Sequence, residues 1–369
     1  MADPAFNGSS GHSVQNMIKR HIRYVACLAT LAGAGIGCTA ATAAGPDTHV
    51  VRPGQSIQKA VDAARSGDTI LLTGGTYRES VRMTKSGVTL RGVGPSTVIT
   101  PGPNSNACAR AGSGICVEGT DGHPVEDATV EALTLSGFAK NGLWATRTVR
   151  LTVRQVSAEQ NKQWGIAQER STHGTFLDNT VRGSDNAGLF LANMTDAEGG
   201  AQDTRGTVVA RNQLEDNRVG VTLRRLRNLT VSNNDFTKNC AAVFVVGDEN
   251  KPRGGALTVS DNFVHGNNKS CPKADRLPEV QGAGIVLTGT ESALVTRNVV
   301  TDQAGTGVSP FSGGIVLFKS MVGALSEKNQ VSGNTLMRNT PADLVNADTG
   351  KDNTFQDNSC KSSKPSGLC

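Results

Sequence analysis

Between Val130 and Asn239 the chain repeats itself, and a repeat constrains a fold more tightly than composition does. The segments read VEALTLSGFAKNGLWA, VRLTVRQVSAEQNKQWGIA, GTFLDNTVRGSDNAGLFLA, TVVARNQLEDNRVGVTL and LTVSNNDFTKNCAAVFV. Each has a short alternating apolar run, a polar stretch with Asn or Asp, a Gly (Ala242 in the last) and a second apolar run. Gly142, Gly165 and Gly188 stand 23 residues apart, and Asn212 and Asn234 stand 22 apart. The turn asparagines Asn141, Asn161, Asn186, Asn217 and Asn239 read as one phase. The apolar runs have period two and are too short for helices.

Several strands per repeat, turned by Gly and Asn, make one coil of a parallel β-helix. Asn suits the turns because it tolerates left-handed backbone and its amide can bond an Asn one coil away. Gly suits places that need positive φ or have no room for a Cβ. The expected fold is therefore all-β, a solenoid of about a dozen coils. The pattern resembles the right-handed parallel β-helix proteins, the pectate-lyase-like superfold, from Val50 to Asn358. That resemblance implies the fold; it leaves the activity open, because one superfold hosts many functions.

The ends divide the chain into residues 1–44, 45–358 and 359–369. Lys19, Arg20 and Arg23, the apolar run Tyr24 to Gly37, and Ala41-Thr42-Ala43 read as a signal peptide cleaved after Ala43 or Ala44, with Met17 as a second possible start. The run is too short to span a bilayer. Cleavage before Cys38, as in a lipoprotein, is the second reading; Gly35 stands where such sites favour Leu. Of eight cysteines, Cys27 and Cys38 fall in this segment. The remaining six suit disulfides in an exported chain, and chain order favours Cys108–Cys116, Cys240–Cys271 and Cys360–Cys369 among the fifteen possible pairings. No CxxC pair or partnering His supports a metal reading of them. A net charge of +5 is mild, and no nucleic-acid motif accompanies it. A monomer is expected.

Ser56 should cap a short helix with Ile57, Ala60, Val61 and Ala64 on one face, ended by Gly67. Such a helix would cover the open first coil. Strands are expected at Thr69–Thr73, Ser80–Met83, Val88–Arg91 and Thr97–Thr100. Asn104 to Val125 reads as an insertion. Long loops follow near 196–205, 248–255 and 267–282, and loops on one face of a solenoid often carry its site.

The candidate chemistry lies in the middle of the chain. His173, in ERSTHGTF, could act as base with Arg170 and Arg205 as charge clamps; the plainer reading is a turn histidine. Arg211, Arg224 and Arg225 could bind sugar carboxylates, or be solvated surface arginines. If their run is a strand, Arg224 and Arg225 point to opposite faces. Trp144 and Trp164 could form a sugar platform, but they differ in phase against their glycines, which favours core or edge packing. His123 and His265 lack clear partners. Asp196 and Asp203 could take calcium; no cofactor is otherwise required.

GTYRE, with Tyr77 and Glu79, resembles the GxYxE signature of pectin methylesterases, and Gln202-Asp203-Thr204 resembles another part of it. The rest of that pattern is missing. Missing too are the NTD, GHG and RIK set of polygalacturonases, the DPHD of mannuronan epimerases and the RxPxxR of pectate lyases. The expectation is an exported β-helix protein that binds or acts on an extracellular, acidic polysaccharide, by lyase or C5-epimerase chemistry if catalytic. The competing class is a non-catalytic glycan binder or structural rod.

Overall fold

The computed structural model describes residues 45–274, 278–307 and 309–369. The segment expected to be a signal peptide, with Met17, Cys27, Cys38 and the expected cleavage site, lies outside the described residues.

From Thr175 to Asn346 each coil carries three strands; in the two coils before it a single long strand, Thr129–Ser136 or Thr152–Glu159, takes the place of the first two. One coil runs Thr175–Leu177, Thr180–Arg182 and Ala187–Ala192; a later one runs Leu226–Ser232, Asp235–Thr237 and Ala241–Val246. The first two strands of each coil join a 20-stranded sheet, and the third joins an 11-stranded sheet. Neighbouring coils pair in parallel, residue on residue, as in Leu189↔Val221↔Val243↔Ile285↔Ile315. Eleven strands at about 4.8 Å extend the stack roughly 50 Å. That inward row is fully buried in every coil. Each such side chain contributes about 1.5–3 kcal/mol of hydrophobic stabilisation.

The corners explain the asparagines. Asn179, Asn212, Asn234, Asn262, Asn298, Asn334 and Asn358 form one ladder, buried except at Asn358, each amide hydrogen-bonding the next. Asn161, Asn217, Asn239 and Asn267 stand in a second. Asn141 and Asn186 fall outside it: Asn141 lies in a strand and pairs with Trp164 in register, and Asn186 precedes one. The left-handed backbone also belongs to a different residue. Asp178, Arg211, Asn233, Asp261 and Arg297 have φ of 55–58°, each one position before a ladder asparagine. The ladder asparagines are chosen for their amides.

Gly142, Gly165 and Gly188 do not have positive φ. A Cβ on any of them would meet a carbonyl oxygen of the next coil at 2.6–2.9 Å. They are there because the coils stack too closely for a side chain.

At the N-terminal end, the helix Ile57–Ala63 has Ser56 as its N-cap and buries Ile57 and Val61. It ends at Ala64; Gly67, with φ of 95°, turns the loop beyond rather than the helix itself. Glu79 accepts hydrogen bonds from Ser56 Oγ and the Ile57 N–H, and Tyr77 is buried with its hydroxyl donating to Val51 O. The GTYRE segment thus builds the cap. Gly75–Arg78 is a strand that its two residues beside Gly obscure in the sequence. The stretch Asn104 to Val125 is not wholly an insertion, because Ile115–Glu118 is a rung of the 11-stranded sheet. Ser363–Lys364, in the C-terminal segment, forms the last rung.

All three expected disulfides are present: Cys108–Cys116, Cys240–Cys271 and Cys360–Cys369.

Asp68 ties the first coil to its leader. Its carboxylate accepts the Arg65 and Asp47 N–H groups, each at 2.8 Å, and meets His49 Nε2 at 3.1 Å. Those backbone donors, Arg65 first, lower its pKa from 3.8 to about 2. A depressed carboxylate stabilises above its unfolded pKa and loses that effect as pH falls through the folded one. Asp68→Asn should therefore lower the urea midpoint at pH 7, and the gap from wild type should close between pH about 4 and about 2. A gap unchanged across that range would contradict this account.

Candidate functional site

The outward face of the 11-stranded sheet floors a groove of about 930 Å³. One outward row reads Cys116, Trp144, Ala167, Phe190, Thr222, Phe244, Val286, Val316. The adjacent row reads Asn141, Trp164, Ala187, Val219, Ala241, Ala283. Trp164 reaches across small Ala167 and fits between Trp144 and Phe190. Its ring centroid lies 5.7 Å from Trp144 and 4.1 Å from Phe190, with planes within 17° and 7°. The difference in phase between the two tryptophans is thus what lets them stack. Trp164 is 9% exposed and Phe190 7%, so the inner rings are packing. Trp144 ends the stack and is half-buried, because its row continues into Cys116 and the disulfide. Further along, Phe311 packs edge-on against Phe244 and Phe318.

Loops after the floor strands build one wall. Arg225 is its centre. It ion-pairs with Asp248 and Glu198 and donates from Nη1 to Ala197 O at 2.8 Å. Its side chain is 4% exposed and that of Asp248 9%. The Ala201 N–H bonds Pro252 O at 2.6 Å, and Arg253 Nη1 bonds Leu325 O at 2.5 Å, so the wall's three loops are stitched together. Arg224 and Arg225 both line the groove, contrary to the alternation expected of a strand. The strand ends at Arg224, and Arg225 takes φ of 55°, which turns its side chain back to the wall.

Four cations, Lys140, Arg218, Arg224 and Arg225, line the groove. Five carboxylates do so too: Glu118, Asp185, Glu198, Asp248 and Glu249. Among the described residues no histidine or tyrosine lines it.

The remaining candidates lie elsewhere. His173 is exposed at a left-handed corner with φ of 56°, its Nδ1 3.4 Å from Thr172 Oγ1. Arg205 occupies the matching corner one coil on, exposed, its N–H bonded to Asp203. Arg170 pairs with Asp196 at 2.9 Å. Arg211 is held by Asp178 across a corner at 2.8 Å, and this pairing lowers the Asp178 pKa. His265 pairs with Asp235, and His123 is exposed in a turn. Asp196 and Asp203 are engaged by Arg170 and by Asn228, and among the described residues no group of three His, Cys, Asp or Glu side chains is placed to hold a metal. Sequence reasoning missed Phe190, Phe244, Phe311 and the Asp248 wall. Phe190 and Phe244 do occupy the position of Trp144 in the repeat, a signal by which they could have been found.

Fold and floor together define a right-handed parallel β-helix protein. A family model described as "Right handed beta helix region" matches residues 103–264, and one described as "Periplasmic copper-binding protein (NosD)" matches residues 195–365. No curated protein matches the sequence. Solved structures with similar folds include the A-modules of the Azotobacter vinelandii mannuronan C-5 epimerases AlgE6 and AlgE4. They are 19% and 17% identical, with 82% of this chain and 88% and 89% of theirs covered, at TM-scores of 0.58 and 0.56. DFA-IIIase from Arthrobacter chlorophenolicus A6 is 12% identical over 82% of this chain and 77% of its own, with a TM-score of 0.56. Likeness at these identities carries the fold alone. The copper in the second family description finds no matching ligand set among the described residues.

Proposed function

We propose that this is an exported β-helix protein that binds a polysaccharide chain along the groove of the 11-stranded sheet. The observation that carries the reading is the aromatic floor of the groove, Trp144, Trp164, Phe190 and Phe244, whose end ring, Trp144, is only half-buried. Three disulfides suit an exported chain, and the periplasmic family description agrees with it. The mannuronan epimerases are named for a polymer, in keeping with a long groove. Five lining carboxylates against four cations favour an uncharged chain over an acidic one. Lyase or epimerase chemistry needs a base beside the sugar C5 proton. The residues expected to supply it, His173, Arg170 and Arg205, do not line the groove, which leaves binding along the aromatic floor as the reading the lining supports.

Thr222 lies half-buried in the outward row between Phe190 and Phe244. Thr222→Trp should fill the groove and weaken polysaccharide binding by at least about tenfold, roughly 1.4 kcal/mol. His173→Ala should leave binding unchanged. Affinity electrophoresis against neutral and acidic polysaccharides measures both. Undiminished binding by Thr222→Trp would place the ligand elsewhere, and loss in His173→Ala would return weight to the corner.

A further inference from the structure

We infer that the C-terminal end of the groove is a subsite for an acyl substituent on a neutral polysaccharide, received by the exposed turn residues Met321 and Val322 beside Phe318 and Val246. This deepens the glycan reading above and rests on it.

Met321 is 57% exposed and Val322 54%. Among the described residues the other exposed large apolar side chains, Phe263 and Val93 for example, lie off the groove; these two line it, and they are adjacent. They form the tip of a tight turn after the floor strand Gly313–Phe318. The Gly323 N–H bonds Ser320 O at 3.2 Å, and the Val322 N–H bonds Ser320 Oγ at 3.3 Å. The centre of such a turn ordinarily takes Gly, Pro, Asn, Asp or Ser. Two exposed apolar side chains there, on the rim of a groove, fit a ligand contact.

The floor changes character at the same end. One outward row of the 11-stranded sheet carries Glu118, Glu169 and Arg224 in its earlier rungs and then reads Val246, Thr288, Phe318. Val246 and Phe318 are half-buried and line the groove with the turn. The Phe318 ring is fixed edge-on against Phe311, with centroids 4.6 Å apart. The acids that follow Val246 belong to the wall, where Asp248 is paired with Arg225 and Glu249 is exposed.

A sugar ring carries hydroxyls around its edge, and a hydroxyl set against an aliphatic wall without a partner is costly. Esterifying that hydroxyl with a small acid removes the donor and adds a methyl group, which suits Met and Val. The aromatic floor meets the rings of the chain, and the rim meets what projects from them. An acyl ester is also uncharged, in keeping with the balance of lining charges.

The experiment uses the full chain and isothermal titration calorimetry with partially acetylated glucomannan and xylan, and with the same polymers after mild alkaline deacetylation. Wild type is expected to bind the acetylated form about tenfold more tightly than the deacetylated form of the same chain. Met321→Ser combined with Val322→Ser should bring that ratio close to unity, while Met321→Leu combined with Val322→Ile should keep it. Both side chains are exposed, so the serine pair is expected to melt with wild type, and a lost ratio is then not a lost fold. Equal affinity of wild type for the two forms, with Thr222→Trp still blocking, would overturn the subsite and leave the groove reading standing. A ratio that survives in the serine pair would also overturn it, and if both forms bind that pair more weakly, the rim touches the chain and not its substituents. Binding that survives Thr222→Trp, or no binding of any probe by wild type, would sink the groove reading and the subsite with it.

Discussion

Arg225→Met should be among the most damaging single changes, lowering stability by about 3–5 kcal/mol in the wall of the groove. The guanidinium is buried and meets two carboxylates and a carbonyl. Removing it leaves Asp248 as a buried charge, with the Asn250 N–H at 3.2 Å as its remaining backbone donor. An unpaired buried carboxylate costs far more than an exposed ion pair contributes. The loss should appear first as local opening, because Arg225 ties both Glu198 and Ala197 to the floor. Amide hydrogen exchange should rise across residues 195–200 and 247–254 while the asparagine ladders stay protected. Arg225→Met combined with Asp248→Asn should recover much of the loss, since the second change removes the stranded charge; the double-mutant cycle measures that coupling. Equal protection of the wall in wild type and Arg225→Met would show that the loops hold themselves.

What the sequence made legible follows from what repeats. The coil, its glycines and the asparagine ladder recur at fixed spacing, since each is set by contact with an identical neighbour one coil away. The disulfides were legible too, because chain order left few sensible pairings. The site was less so. Trp144 and Trp164 were marked, yet their phases argued against a stack, since phase says where a Cβ points and not how far an indole reaches over an alanine. The arginines misled for a related reason. A run of them reads as one cluster, but Arg211 sits at a corner pairing with Asp178, Arg170 pairs with Asp196, and Arg225 is buried in the wall. His173 drew attention as a rare titratable residue, whereas its backbone conformation, common for His at left-handed corners, accounts for its place. Non-repeating loops carry the wall, and no periodic signal foretells which loop meets which.

Asn234→Ala tests the ladder in its buried middle, and the expected cost is roughly 2–5 kcal/mol. Asn234 is 2% exposed. Its Oδ1 accepts from the Asn212 N–H and Asn212 Nδ2, both at 2.9 Å, and its Nδ2 donates to Val209 O and Asn262 Oδ1, both at 3.0 Å. Alanine strands the Asn212 N–H and Val209 O in the interior, and each orphan costs about 1–3 kcal/mol. Asn358, at the end of the same ladder, is only half-buried, so water can replace its amide and Asn358→Ala should cost clearly less. Asn234→Asp separates shape from charge. It keeps the acceptor but buries a carboxylate, which raises that group's folded pKa. Its deficit should therefore be largest at neutral pH and shrink as acid protonates the side chain. Urea titrations of the three variants at pH 7 and pH 4 give the comparison. Equal losses at Asn234 and Asn358, or a deficit in Asn234→Asp that does not respond to pH, would mean that the coils are held by their apolar rows alone and that the ladder only follows them.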